Sequence, residues 1–236
     1  MKILSLDSSA QVATVALCED DALLAEFTLN NGNTHSETLL PMVETILRSY
    51  GMTVDDIELF ACTSGPGSFT GVRIGAATVK GLAFGRTTPC VGVSTPEAIA
   101  ENLVSLGGLI CPVMNARRSQ VYTALFRSDG KTMTRLMPDS ALSIKELDEL
   151  LSAYGEPVAF AGDGYDVTLP ALQKTEAAVT PERLRHQSAS SVARVAYRLA
   201  LAGEAVSDKA LAVTYLRPSQ AERTLMEKEA KDRADT

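Results

Sequence analysis

Histidine is nearly absent from this chain: His35 and His186 are the only two among 236 residues. They stand too far apart to supply the paired ligands of a helical zinc site. No G-x-S-x-G elbow offers a serine that either could activate. A zinc enzyme and a serine hydrolase are therefore set aside, and His35 reads as a surface or capping residue. Cysteine is also sparse, and Cys18, Cys62, Cys90 and Cys111 stand singly among apolar neighbours, without the C-x-x-C pair of a redox motif or zinc knuckle. Such residues behave as small hydrophobes, so buried, reduced thiols and a cytosolic chain are expected. No run approaches the roughly 20 apolar residues of a membrane span. The opening MKILSLD meets an acidic residue within a strand's length, so neither signal peptide nor anchor is expected.

Positive charge is scarce in the first half. Residues 1–103 hold five basic side chains against twelve acidic ones, while residues 104–236 hold seventeen of each, so the whole net charge of −7 lies in the first half. Nucleic-acid affinity comes largely from Lys and Arg neutralising phosphates, and an acidic half is a poor independent binder. If RNA is involved, another subunit should hold it.

What the sequence does have is pattern. Lys2 to Asp7, Val12 to Cys18 and Ala22 to Leu29 read as three strands of a meander, separated by DSSAQ and by the acidic turn Glu19-Asp20-Asp21. From Glu37 to Tyr50 the spacing predicts an amphipathic helix stopped by Gly51. The apolar run Ile57 to Cys62, the loop TSGPG and a second helix from Ser68 to Phe84 follow, then a short strand at Val91 and Val93. Ser94, Pro96 and Glu97 announce another helix, running to about Val104, with the spacing of a capping box.

The pattern then begins again. Setting Gln11 of LDSSAQVATVAL against Gln120 of MNARRSQVYTAL pairs Val12 with Val121 and Thr14 with Thr123, and one extra residue in the second loop brings Asp7 opposite Asn115. The second copy continues with a strand from Lys131 to Leu136, a capping box at Ser143 and Glu146, a strand Pro157 to Ala161, the turn GDG and a helix from about Ser190 to Ala202. Two copies of a meander followed by alternating helices and strands describe an α/β chain with the duplicated actin-like ATPase (ASKHA, ribonuclease H-like) fold, nucleotide lying between two lobes. The expected division is an N-terminal lobe 1–103, a C-terminal lobe 104–221 whose last helix could pack back on the first lobe, and a charged tail 222–236.

In such a fold a hairpin from each lobe faces the phosphates, which singles out Asp7, Ser8 and Ser9 in one copy and Asn115, Arg117 and Arg118 in the other. Hydroxyls and N–H groups can cradle phosphate and a carboxylate can hold hydrated magnesium, but the same residues suit a plain turn, and both readings stand. Asn115 weakens an enzymatic reading, because an amide is no general base and a poorer magnesium ligand. The block GPGSFTGVRIG reads as close helix packing rather than phosphate binding, since no lysine follows the loop as in a P-loop. Met42 on the first helix and the line Gly71, Gly75, Thr78 and Leu82 on the second lie off the helices' apolar faces and are expected to meet a partner.

The segments ILSLDSSAQVATVAL, HSETLLPMVETIL, TSGPGSFTGVRIGAATVKGLAFG, NARRSQVY and YLRPS together resemble the TsaB (YeaZ) family of the bacterial tRNA threonylcarbamoyladenosine pathway, nearly over the whole chain. The resemblance implies the actin-like fold, a heterodimer with the catalytic paralogue TsaD through the first-lobe helices, a TsaE-like ATPase partner, a homodimer when alone, and contact with tRNA only through the complex. It requires no cofactor of this chain and leaves ATP or ADP as ligands of the complex interface. It also implies catalytic inactivity: the paralogue's two metal-binding histidines, one helical turn apart, fall here on Thr95 and Ile99. The family's second hairpin usually reads D-A-R-R where this chain has Asn115-Ala116-Arg117-Arg118, which puts in doubt a magnesium or nucleotide role at that position. A small ATPase or phosphotransferase is the alternative that the fold alone would permit.

Overall fold

Apolar residues on both sides of a strand call for cover on both faces of its sheet, and β1 (Lys2–Asp7) has that character, with Ile3, Leu4 and Leu6 all buried. In the computed structural model, which describes residues 1–32 and 34–217, β1 pairs antiparallel with β2 (Ala13–Glu19), and β2 with β3 (Ala22–Leu29). After α1 (His35–Ser49), β4 (Leu59–Gly65) adds parallel to β1; after α2 (Phe69–Ala83), β5 (Cys90–Ser94) adds parallel to β4 and leads into α3 (Thr95–Glu101). The order of this sheet is β3-β2-β1-β4-β5.

The second lobe repeats the arrangement. The strands β6 (Gly108–Asn115), β7 (Gln120–Ser128) and β8 (Met133–Ser143) form the meander, and α4 (Ile144–Ser152) follows. Then β9 (Val158–Ala161) lies parallel to β6, and beyond α5 (Tyr165–Thr168) the short β10 (Ala177–Ala178) lies parallel to β9. The sheet order β10-β9-β6-β7-β8 matches that of the first lobe strand for strand. The chain thus has the two-lobe, duplicated actin-like fold. The last described helix is α6 (Ala189–Leu201).

Helices cover each sheet on two sides. Leu4, Leu6, Val15, Leu17 and Phe60 pack under α1 and α2, while the opposite face, with Ile3, Ala16, Leu59 and Val91, receives Ala189, Val192, Ala193 and Ala196 of α6. In the second lobe α4 packs on Leu109, Val113, Leu125 and Phe160, and the other face is covered by Ile99, Ala100 and Leu103, on and just beyond α3. The two halves thus exchange helices: α3 follows the first sheet but lies on the second, and α6 follows the second sheet but lies on the first. Polar contacts fix this exchange. The Arg198 guanidinium donates to Glu101 at 2.6 Å, the Ser191 hydroxyl to Asn102 Oδ1 at 2.6 Å, and the Asn102 amide to the His186 carbonyl at 2.7 Å. Glu26 of β3 accepts from the Ser188 hydroxyl (2.8 Å) and the Ser190 N–H (3.1 Å), placing a carboxylate at the positive end of α6.

The expected elements are present with shifted ends. The Ser143/Glu146 capping box forms reciprocally. At α3 only half a box forms: Ser94 accepts the Glu97 N–H, but the Glu97 carboxylate turns to Arg135 at 2.6 Å. β8 runs to Ser143, well past the expected end at Leu136; as an edge strand it tolerates Pro138. The four cysteines are buried and free, and burial pushes their thiols up, to about 11 for Cys18 and Cys90 and about 12 for Cys111. Among the described residues no helix is long and apolar enough to cross a membrane. The acidic and basic run 222–236 lies outside the described residues.

Candidate functional site

The C-terminal ends of β1 and β4 face those of β6 and β9 across a cleft of about 610 Å³, lined from both lobes by Ser9, Gly67, Ser68, Asn115, Arg117 and Asp163 among others. Ligands of open α/β sheets gather at such strand ends. Of the six phosphate-facing candidates, Ser9, Asn115 and Arg117 share this cleft. Arg118 lines, with Arg117, a separate cavity of about 860 Å³ in the second lobe beside Lys145 and Lys174. Asp7 and Ser8 are placed differently.

Asp7 is wholly buried. Its Oδ1 accepts from the Ser9 N–H (2.7 Å) and the Thr63 hydroxyl (2.9 Å), while Oδ2 has no partner among the described residues. Burial raises the carboxyl above its ordinary range, against the opposing pull of those hydrogen bonds. Stability from a raised carboxyl is fully present below its ordinary value, near 3.8, and is lost as pH climbs through the raised value. Asp7→Asn keeps the acceptor and removes the charge. The variant is expected to melt higher than the parent above the raised value, with a flatter melting profile as pH climbs from about 3.8 through that value. Calorimetry across that range checks this, and an unchanged slope would count against burial outweighing the hydrogen bonds at Asp7. Asp163, in the turn after β9, accepts the Asn115 N–H at 3.1 Å; burial raises its carboxyl too, and the nearby Asp7 charge adds to the effect.

Ser8 does not face the cleft. Its hydroxyl donates to the Gly71 carbonyl at 2.9 Å, and the residue is wedged against the glycine face of α2. A Cβ on Gly71 would collide with the Ser8 carbonyl oxygen, and one on Gly75 would come within 2.8 Å of the Ser8 hydroxyl and 3.3 Å of Leu6. Gly71 and Gly75 therefore serve packing within the lobe and are not free to meet a partner. The same correction applies to Met42, which is 1% exposed in the first-lobe core; α1 touches both its sheet and α2, so its buried stripe is wider than one face. Thr78 and Leu82 are half-buried, the Thr78 hydroxyl donating to the Ile74 carbonyl at 2.9 Å. The exposed positions of these two helices include the apolar or small Leu40 and Pro41 on α1 and Ala77 and Gly81 on α2, with Phe84 just beyond, alongside charged ones such as Glu37, Glu44, Arg48 and Arg73.

Across the second hairpin, Arg117, Arg118 and Ser119 all have left-handed backbone, with φ of 63°, 53° and 56°. The strain is held by the Arg117 N–H donating to Asn115 Oδ1 (2.9 Å) and the Ile144 N–H donating to the Ser119 carbonyl (3.0 Å). Asn115 thus serves its own turn. His35 donates from Nε2 to the Ala10 carbonyl (2.8 Å), tying the start of α1 to the first hairpin, and does not cap the helix.

The cleft has a wall that sequence reasoning did not foresee. The chain returns after α6, buries Leu211 in the first-lobe core and crosses the cleft at Thr214–Arg217. The Thr214 N–H donates to the Ser64 carbonyl at 2.7 Å, and the Thr214 carbonyl lies so close over Gly65 (φ 111°) that a Cβ there would collide with it. Tyr215 packs on Phe69 with ring centroids 4.8 Å apart, and Arg73 donates from Nε to the Tyr215 hydroxyl at 2.7 Å while lying 3.8 Å over the Phe69 ring. Arg217 reaches the second lobe, 5.7 Å from the centre of the Tyr122 ring. Asp163 had a readable signal, a carboxylate in a glycine turn at a strand end; the strap had none beyond the motif YLRPS.

Comparison with known proteins agrees with this architecture. The family model described as TsaD, tRNA N6-adenosine threonylcarbamoyltransferase, matches residues 23–225. The tRNA threonylcarbamoyladenosine biosynthesis protein TsaB of Bacillus subtilis (strain 168) is 35% identical over 162 residues, 69% of this chain and 71% of that protein. TsaB of Escherichia coli (strain K12) is 38% identical over 131 residues, 55% of this chain and 56% of that one. Among solved structures, YeaZ from Pseudomonas aeruginosa superposes with a TM-score of 0.79 at 25% identity, covering 91% of this chain and 99% of that one. A second, described as an uncharacterized protein with similarity to peptidase YEAZ from Pseudomonas aeruginosa, gives 0.76 at 26% identity, covering 92% and 99%. With the duplicated lobes and these matches together, the chain belongs to the TsaB (YeaZ) family, within the wider family that the TsaD model describes.

Proposed function

We propose that this chain is a non-catalytic scaffold subunit for threonylcarbamoyl transfer to the adenosine adjoining the anticodon (t6A) of ANN-decoding tRNAs, dimerising with a TsaD-like paralogue and recruiting a TsaE-like ATPase. The observation that carries the reading is the outer side of α1 and α2. Leu40 is 54% exposed and Phe84 74% exposed, and the exposed Ala77 and Gly81 on α2 leave a low surface onto which another helix pair can settle. An apolar surface of this kind on helices that already cover their own sheet is the mark of a protein–protein contact. Without the paralogue the same surface accounts for a homodimer.

Catalysis is assigned to the partner on the chemistry of two positions. Ile99 is packed in the core between α3 and the second sheet, and an isoleucine cannot ligate a metal; the Thr95 hydroxyl, one turn earlier on the same helix, is buried without a partner among the described residues. The acidic first half agrees with tRNA reaching this chain only through the complex. Depleting the protein in its own cell is expected to remove most t6A from ANN-decoding tRNAs, read by mass spectrometry of the nucleosides, and wild-type chain should restore it. Undiminished t6A would sink the pathway reading, and sustained ATP hydrolysis by the isolated chain would replace the scaffold with a small ATPase.

A further inference from the structure

We propose that the block GPGSFTGVR is the receptor for the chain's own Thr214–Arg217 segment, and that this segment is a strap that must withdraw before a polyphosphate nucleotide can occupy the cleft between the lobes. The proposal stands apart from the subunit role and rests on which residues meet. Three residues of the block serve the strap directly: Gly65 leaves room for the Thr214 carbonyl, Phe69 receives the Tyr215 ring, and Arg73 donates to the Tyr215 hydroxyl. Gly67 instead makes room for the first hairpin, where a Cβ would lie 2.7 Å from the Ser9 carbonyl. A glycine-rich turn before a helix suggests an anion cradle, yet here its side chains are engaged by a peptide.

The cleft beneath the strap has the chemistry for an anion. Ser9 has a buried hydroxyl without a partner among the described residues, and Arg117 on the opposite rim forms no ion pair with any described residue. A hydroxyl from one lobe and a guanidinium from the other suit the phosphates of a nucleotide, while the Asp163 carboxylate on the same lining opposes them. The strap spans this opening from Ser64 in the first lobe to Tyr122 in the second, so its closed position narrows the way to Ser9.

Its hold is one that can be released. Leu211 is buried, but Thr214 and Tyr215 are exposed, and between them the tethers are one backbone hydrogen bond, one side-chain hydrogen bond, one ring contact and the Arg73 guanidinium 5.5 Å over the Tyr215 ring. A segment with few buried contacts opens locally while the core stays folded. Ligand affinity is reduced by the fraction of molecules in which the strap is closed, so loosening the strap should strengthen binding.

The test compares binding of a fluorescent ATP analogue with magnesium to the full-length wild type and to Tyr215→Ala, with amide hydrogen exchange followed over 213–217. Tyr215→Ala is expected to bind at least fivefold more tightly, and saturating ATP is expected to speed exchange at the strap in the wild type. If Tyr215→Ala does not fold, Thr214→Pro removes the N–H tether to Ser64 and leaves the aromatic contact in place, with the same fivefold criterion. A smaller gain, binding by neither protein, or nucleotide binding that leaves strap exchange unchanged overturns the proposal.

Discussion

Gly71→Leu is expected to cost about 3 kcal/mol of stability, lowering the melting temperature by roughly 6–12 °C, because the added side chain must displace backbone instead of a mobile side-chain end. The Cβ alone would collide with the Ser8 carbonyl oxygen, and Ser8 cannot retreat, since its hydroxyl is bonded to the Gly71 carbonyl and the next residue's N–H is held by Asp7. Gly75→Leu should behave similarly but less severely, meeting the Ser8 hydroxyl and the end of Leu6 instead of backbone. Both changes act inside the lobe. Thermal melting with sedimentation of the folded fraction separates the possibilities: a variant that keeps its melting temperature but no longer associates would return these glycines to the partner surface.

Gly81→Arg should do the opposite. Nothing lies within 4 Å of a Cβ built on Gly81, and the position is in the last turns of α2 on its open side. Arginine is a better helix former than glycine by up to about 1 kcal/mol, so the melting temperature should hold or rise. If the outer sides of α1 and α2 meet a partner, the change places an unpaired charge in an apolar contact. That should cost about 3 kcal/mol, roughly a hundredfold in association with the TsaD-like paralogue. Analytical ultracentrifugation of the two chains at matched concentrations reads this directly. Undiminished association by a well-folded Gly81→Arg chain would move the interface elsewhere.

The duplicated fold was legible because its evidence is local. Each meander consists of alternating runs divided by turn residues, and the two hairpin sequences align around Gln11 and Gln120 with one extra residue in the second loop. What escaped was set by contacts between distant parts of the chain. Periodicity showed that Gly71 and Gly75 share a narrow side of α2, but what fills that side is Ser8, sixty-odd residues earlier. Met42 was misplaced because a helix flanked by both a sheet and a second helix buries more than the stripe that a single neighbour would require. Glu97 has the spacing of a capping box, yet its carboxylate is held by Arg135, brought to it from the other lobe. The strap joins residues about 150 positions apart, and neither YLRPS nor GPGSFTGVR signals in its own composition that the other is its partner.

The exchange of α3 and α6 makes the two halves mutually dependent. A fragment ending near residue 103 would carry a sheet with one face bare, together with a helix shaped for a sheet it does not have, and the complementary fragment would be in the same position. Neither should fold alone, whereas mixing the two should rebuild the whole, each lending the other its missing cover. For the intact chain the same reciprocity means a single unfolding transition. It also means that the lobes cannot swing apart as independent bodies, because any wide hinge motion would drag a helix off the sheet it protects.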